Sequence, residues 1–237
     1  MPIGRNRRRF VAAGLIAGAA GLGAAALQAK QPEPEEKEVE AVEDLMREHG
    51  VLRRALLVYT SAAMRLRSGE AMPAEALRRT ADLFRRFGEE YHERMLEEKY
   101  VFPALAAARG PVAHVAEVLT AQHERGRAIT NYVLDVTAAG NVATMNLRPL
   151  SYTLDSFVLM YRHHAAIEDT VVFPAWKEVV SADHYRELSA RFEDLEHQMF
   201  GRDGYEDAVR RISAIEEAFG LADLAASTAP VPPIAAR

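Results

Sequence analysis

Apolar residues recur along most of this chain at steps of three and four, the period of an amphipathic helix. Leu45, His49, Leu52 and Leu56 fall on one such stripe; Ala116, Leu119, His123, Gly126 and Thr130 fall on another. A third carries Phe157, Met160, His164, Ile167, Glu168 and Val171, and the segment between holds Gly88, His92, Met95, Leu96 and Glu97. Sustained alternation and Asn-Gly or Asp-Gly hairpin signals are missing, which predicts an all-α chain. Helices are expected at about 39–68, 73–108, 111–138 and 147–180, with two shorter ones at about 182–199 and 204–219. Pro73 suits a first helical turn, "RGP" and "AAGN" punctuate the chain, and Pro103 and Pro174 are expected to kink their helices. Four long helices with short connections predict an up-down-up-down four-helix bundle over residues 40–180. Extra C-terminal helices follow over 181–219, and a proline-containing tail over 220–237 is expected to be disordered.

The N-terminus is a separate object. "RNRRRFVAAGLIAGAAGLGAAALQAK" has a basic head, a Gly/Ala-rich apolar run and small residues after it, the layout of a secretory signal over residues 1–29. Arg7, Arg8, Arg9 and Phe10 resemble the twin-arginine export motif, which implies the twin-arginine machinery as a partner and a periplasmic or otherwise extracytoplasmic destination. The alternative is an uncleaved membrane anchor. That export route carries folded proteins, often with cofactors inserted. Residues 30–39 read as a charged, proline-containing linker.

Charge and composition exclude several classes. The formal charge of −5 argues against a general nucleic-acid binder, and losing residues 1–29 removes four arginines and no acids, leaving −9. Without cysteine there is no disulfide framework, thiolate metal site or redox CxxC.

The chemistry lies in the inward stripes. Each long helix places one histidine there: His49, His92, His123 and His164. The second and fourth add Glu97 and Glu168. Imidazoles and carboxylates meeting in a bundle core are badly unsatisfied unless cations join them. Two divalent metals satisfy the set, each glutamate having two oxygens with which to bridge. This donor mix suits iron, with zinc or manganese also possible. "EEKYVFPA" and "EDTVVFPA" echo each other, so two helix pairs are expected to be related by a pseudo-twofold axis.

The order His49, His92 with Glu97, His123, His164 with Glu168 resembles the hemerythrin-like (HHE cation-binding) family, with Phe-Pro following each glutamate. "DLMREHGVLRR", "YHERMLEEKYVFPA", "AQHERGRAIT" and "YRHHAAIEDTVVFPA" carry the resemblance over about residues 40–180. It implies a four-helix bundle holding a non-haem di-iron centre that binds or senses O2 or related small molecules, or serves iron handling and repair. One departure stands out. His164 lies four residues before Glu168, but His92 lies five before Glu97, about 140° away on a regular helix. A one-residue π-bulge restores the common face. The alternatives are Glu93 in place of His92, or a defective second metal position.

Other polar residues rank lower. His114 is expected at the surface, His163 at the rim or beyond, and His184 and His197 as ordinary residues of the extra helices, with His197 a possible cap on the bundle. Glu98 and Asp169 are expected on the solvated face, with orientation of ligand imidazoles as the alternative. Gly88 and Gly126 either open space beside the metals or allow close helix contact, and Tyr91, Phe157, Phe173 and Trp176 are expected in the core.

Three functions compete: a di-iron module holding O2, NO or a related small oxidant; an enzyme that reduces peroxide or NO or oxidises ferrous iron; and a helical protein with a zinc or empty core. Metal content and the optical spectrum separate them. A redox partner is not readable.

Overall fold

The computed structural model describes residues 39–201 and 203–233. The expected signal and all but the last residue of the linker lie outside the described residues. Among the described residues there are helices and no strands. Helix α1 spans Ala41–Ser68 and ends where Gly69 takes φ 72°, a left-handed geometry that glycine adopts without steric cost. Helix α2, Ala74–Leu83, passes without a break into a π-helical stretch, Phe84–Val101, and then into α3, Phe102–Ala108. Helix α4, Pro111–Thr137, starts on the proline of "RGP". Helix α5, Thr144–Ile167, continues through a π-helical turn, Glu168–Val172, into α6, Phe173–Val179.

These four rods form the bundle. α1 packs against α5, α2 and α3 against α4, and α4 against α5. Tyr59, Phe84 and Phe157 interlock in its core with ring centroids 4.9–6.1 Å apart. Helix α7, Ala182–Phe200, is capped by the Ser181 hydroxyl, and α8, Gly204–Phe219, by the Asp203 carboxylate. α8 lies along α1 and α2, so the C-terminal helices close one flank of the bundle. Arg54 bridges this seam to Glu216 and Ser213, and Phe192 stacks on Trp176 at 6.0 Å. Beyond Leu221 the described chain is exposed, with one 3-10 turn at Leu224–Ser227.

Both predicted kinks are π-helical segments that run into a proline. Phe102 N–H bonds to the Glu97 carbonyl and Phe173 N–H to the Glu168 carbonyl, five residues back in each case. Pro103 and Pro174 follow directly and supply no N–H, so the regular ladder is interrupted where each glutamate must turn inward. The buried stripe also differs from the expected one. Tyr161, Ala165 and Val172 face inward in place of Met160, Ile167 and Val171; Phe157, Tyr161, His164 and Glu168 follow each other at regular steps of four, three and four, and only Val172 lies in the π-helical turn. Met160 and Ile167 are only partly buried, and Val171 is 38 % exposed.

Candidate metal centre

Six side chains from the four rods meet in the middle of the bundle, and all are buried: His49, His92, Glu97, His123, His164 and Glu168. They sort into two facing pairs of imidazoles around two carboxylates. His49 Nε2 lies 3.0 Å from His92 Nε2, and His123 Nε2 lies 3.0 Å from His164 Nε2. Glu97 gives Oε1 to His92 at 3.2 Å and Oε2 to His123 at 3.4 Å. Glu168 gives Oε2 to His49 at 3.3 Å and Oε1 to His164 at 3.0 Å. Each carboxylate thus reaches both pairs, one oxygen apiece.

The π-helical stretch makes this possible on the second rod. The five-residue step from His92 to Glu97 matches its i to i+5 repeat, so both side chains reach one face. Glu93 points elsewhere. It accepts from Arg127 at 3.1 Å and from the Tyr161 hydroxyl at 2.7 Å, outside the ring of facing donors.

The far nitrogen of each imidazole is held. Nδ1 of His49 meets Asp169 at 2.7 Å, Nδ1 of His92 meets Glu48 at 2.7 Å, and Nδ1 of His123 meets Glu98 at 2.9 Å. Nδ1 of His164 meets the Gln122 side-chain oxygen at 2.9 Å. An ionised carboxylate only accepts, so its imidazole carries the proton on Nδ1 and turns a bare Nε2 lone pair inward. Glu98 and Asp169 therefore orient imidazoles and do not simply line a solvated face. Arg127 and Arg53 in turn pair with them. Phe102 stacks on His123 and Phe173 on His49, each at 5.5 Å.

Glu48 and Gln122 were not singled out by the stripes. Their signal was present: "EHGVLR" and "QHERGR" share an acid or amide just before the histidine and an arginine four after it. The pseudo-twofold therefore extends well beyond the VFPA echo. The remaining histidines take no part. His114, His163 and His184 are exposed and His197 is half-buried. Tyr91, Phe157, Phe173 and Trp176 are core residues. Gly126 provides close approach: a Cβ there would overlap the Tyr161 hydroxyl, and at Gly88 one would come within 3.1 Å of Leu52.

The cluster fits metal ions. All four oxygens of Glu97 and Glu168 are buried without a hydrogen-bond partner, a costly state that cations relieve. Imidazole nitrogens that would share one ion at about 2.1 Å stand about 3–3.4 Å apart, and both facing pairs are at 3.0 Å. The donor atoms of Glu97, His123, His164 and Glu168 lie within 4.8 Å of one another, as do those of His49, His92 and Glu97.

Electrostatics repeat the point. Burial pushes the His123 imidazole down, but Glu93, Glu98 and Glu97 outweigh it and raise its pKa to about 9. His49 and His92 are likewise raised by their carboxylates against the effect of burial. Burial and the Glu168 charge raise Glu97, whereas His164 and His49 overcome burial and hold Glu168 well below the usual carboxylate range.

A small cavity with room for about one water-sized molecule lies within the cluster itself, lined by His49, His92, Glu97, His164 and Glu168. Leu52, Leu56, Phe84 and Ala165 add apolar walls, and Arg53, Glu93 and Tyr161 polar ones.

Comparison with known proteins agrees with this architecture. The chain matches the hemerythrin HHE cation binding domain over residues 40–176, and it belongs to that family. It is 43 % identical over 195 residues to uncharacterized proteins of Mycobacterium bovis and Mycobacterium tuberculosis, a match covering 82 % of this chain and 76 % of theirs. Among solved structures there is no significant match.

Proposed function

We propose that this is an exported non-haem di-iron protein that binds, senses or scavenges O2, NO or a related small oxidant. The observation that carries this reading is the pair of facing histidine couples sharing Glu97 and Glu168 around one small buried cavity. His49 and His92 would hold one ion, His123 and His164 the other, with both glutamates reaching across. Iron there would supply an open coordination position and electron exchange with a bound molecule. The mixture of imidazole and carboxylate donors, with no thiolate, suits iron or manganese as well as zinc. Four neutral imidazoles favour binding over strongly oxidising chemistry, because they add no negative charge to stabilise high-valent iron.

A second reading, an enzyme that reduces peroxide or NO or oxidises ferrous iron, is favoured by the Tyr161–Glu93 pair, which puts a hydroxyl donor at the cavity wall. Anaerobic reduction followed by O2, NO and peroxide addition separates the two. A spectrum that changes and reverses on ligand removal supports binding; multiple turnovers support the enzyme. A protein purified with zinc or no metal contradicts both.

Export rests on the Arg-Arg-x-Phe segment and its apolar run. No described helix is long and apolar enough to cross a membrane. Replacing Arg7, Arg8 and Arg9 by lysine should retain a fusion reporter in the cytoplasm, and continued export would contradict the route.

A further inference from the structure

The pseudo-twofold axis matches residues closely: His49 with His123, His92 with His164, Glu97 with Glu168, Asp169 with Glu98, Arg53 with Arg127, and Phe173 with Phe102. It breaks where Glu48 corresponds to Gln122. Both sit one residue before an α1 or α4 histidine, and both reach across to hold Nδ1 of the other imidazole in a facing couple.

The break has a physical consequence. In the first couple, Asp169 and Glu48 are both carboxylates, so both Nδ1 atoms carry protons and two bare Nε2 lone pairs face each other at 3.0 Å. Added positive charge, a metal ion or a further proton on one Nε2, is needed to relieve that repulsion. In the second couple, Glu98 fixes His123, but an amide can donate as readily as it accepts. Turning the Gln122 amide lets it donate to His164 Nδ1, and His164 then carries its proton on Nε2 and donates it to His123 across 3.0 Å. This couple can satisfy itself with no added charge.

From this we infer that the two metal positions are unequal. The His49/His92 position fills first and holds its ion more tightly; the His123/His164 position fills second, and Gln122 is the positioning residue that makes it labile. This rests on the di-metal reading above. Partners of metal-bound imidazoles typically change affinity about 10- to 100-fold when altered. That range sets the expected effect.

The test is anaerobic titration of the metal-free full chain with ferrous iron, followed by calorimetry and equilibrium dialysis. The wild type should bind in two steps. Gln122→Glu should tighten the second step about 10- to 100-fold and leave the first in place, whereas Glu48→Gln should weaken the first. Ring proton–nitrogen NMR of metal-free protein should show His164 protonated at Nε2, shifting to Nδ1 only on the second equivalent. Two ions bound with constants that Gln122→Glu does not move would overturn the inequality and leave the di-metal reading standing. A His164 locked as Nδ1–H without metal would do the same. Failure to bind iron would overturn both.

Discussion

His49 and His92 turn their Nε2 atoms toward each other at 3.0 Å while Asp169 and Glu48 grip the opposite sides of their rings at 2.7 Å. Two lone pairs so placed in a buried core are a standing demand for positive charge. Metal should therefore stabilise the fold. A ligand at 100 times its Kd contributes about 2.7 kcal/mol by mass action. Chelator-stripped protein should melt several degrees lower than the loaded form, with recovery on adding iron. Identical melting curves would mean that the couple is satisfied in some other way.

Glu97 and Glu168 each span both couples, so neither can be lost from one position alone. Glu97→Ala or Glu168→Ala should lower metal content below two ions per chain, whereas Glu93→Gln should keep it. Elemental analysis of purified variants reads this directly. Retention by Glu97→Ala together with loss in Glu93→Gln would move the site one turn along the helix.

Much of the site was legible because histidine and glutamate on an apolar stripe are conspicuous. The stripes brought His49, His123, His164 and Glu168 inward without help from tertiary structure. His92 was legible only conditionally, since a five-residue step to Glu97 clashes with a regular helix and the π-helical stretch resolves it. Glu48 and Gln122 were hidden because acids and amides beside a histidine look like ordinary solvated residues. What they bond to lies 44 and 42 residues away in sequence. The inward turn of Tyr161 was hidden because three- and four-residue steps from Phe157 fit the period equally well, and the step of three led to Met160 instead.

Gly126 is the position where the Tyr161 hydroxyl needs the space of a missing side chain. Gly126→Ala should displace Tyr161 from Glu93 and cost about 1–3 kcal/mol, as overpacking typically does. Tyr161→Phe should cost less. Denaturant unfolding of both variants checks the order, and a neutral Gly126→Ala would show that the phenol moves freely.

Glu89 is buried, 1 % exposed, and neither of its oxygens has a hydrogen-bond partner; Arg85 Nε lies 2.8 Å away in poor alignment. Burial and the charge of Glu93 raise its pKa from 4.5 to about 7. The folded state therefore binds this proton more tightly than the unfolded one. The resulting stability is complete below about 4.5 and is lost as pH rises through about 7. The loss amounts to about 3 kcal/mol. At fixed metal occupancy, Glu89→Gln should flatten stability across that window and be the more stable protein above it. A variant that follows the wild-type pH profile would assign the trend to other groups.

The C-terminal helices cover Trp176 and the outer sides of α1 and α2 with Phe192, Ile212, Ile215 and Phe219, all buried. Ending the chain at Val180 should lower the melting temperature and raise binding of a hydrophobic dye. Unchanged melting would make the extension an independent unit.

The most direct test is the metal itself: elemental analysis and X-ray absorption on protein purified from its own export route. Two iron ions per chain, ligated by nitrogen and oxygen and separated by about 3.5–4 Å, are predicted. One isolated ion, stoichiometric zinc, or iron retained after all four imidazoles are replaced would contradict the account.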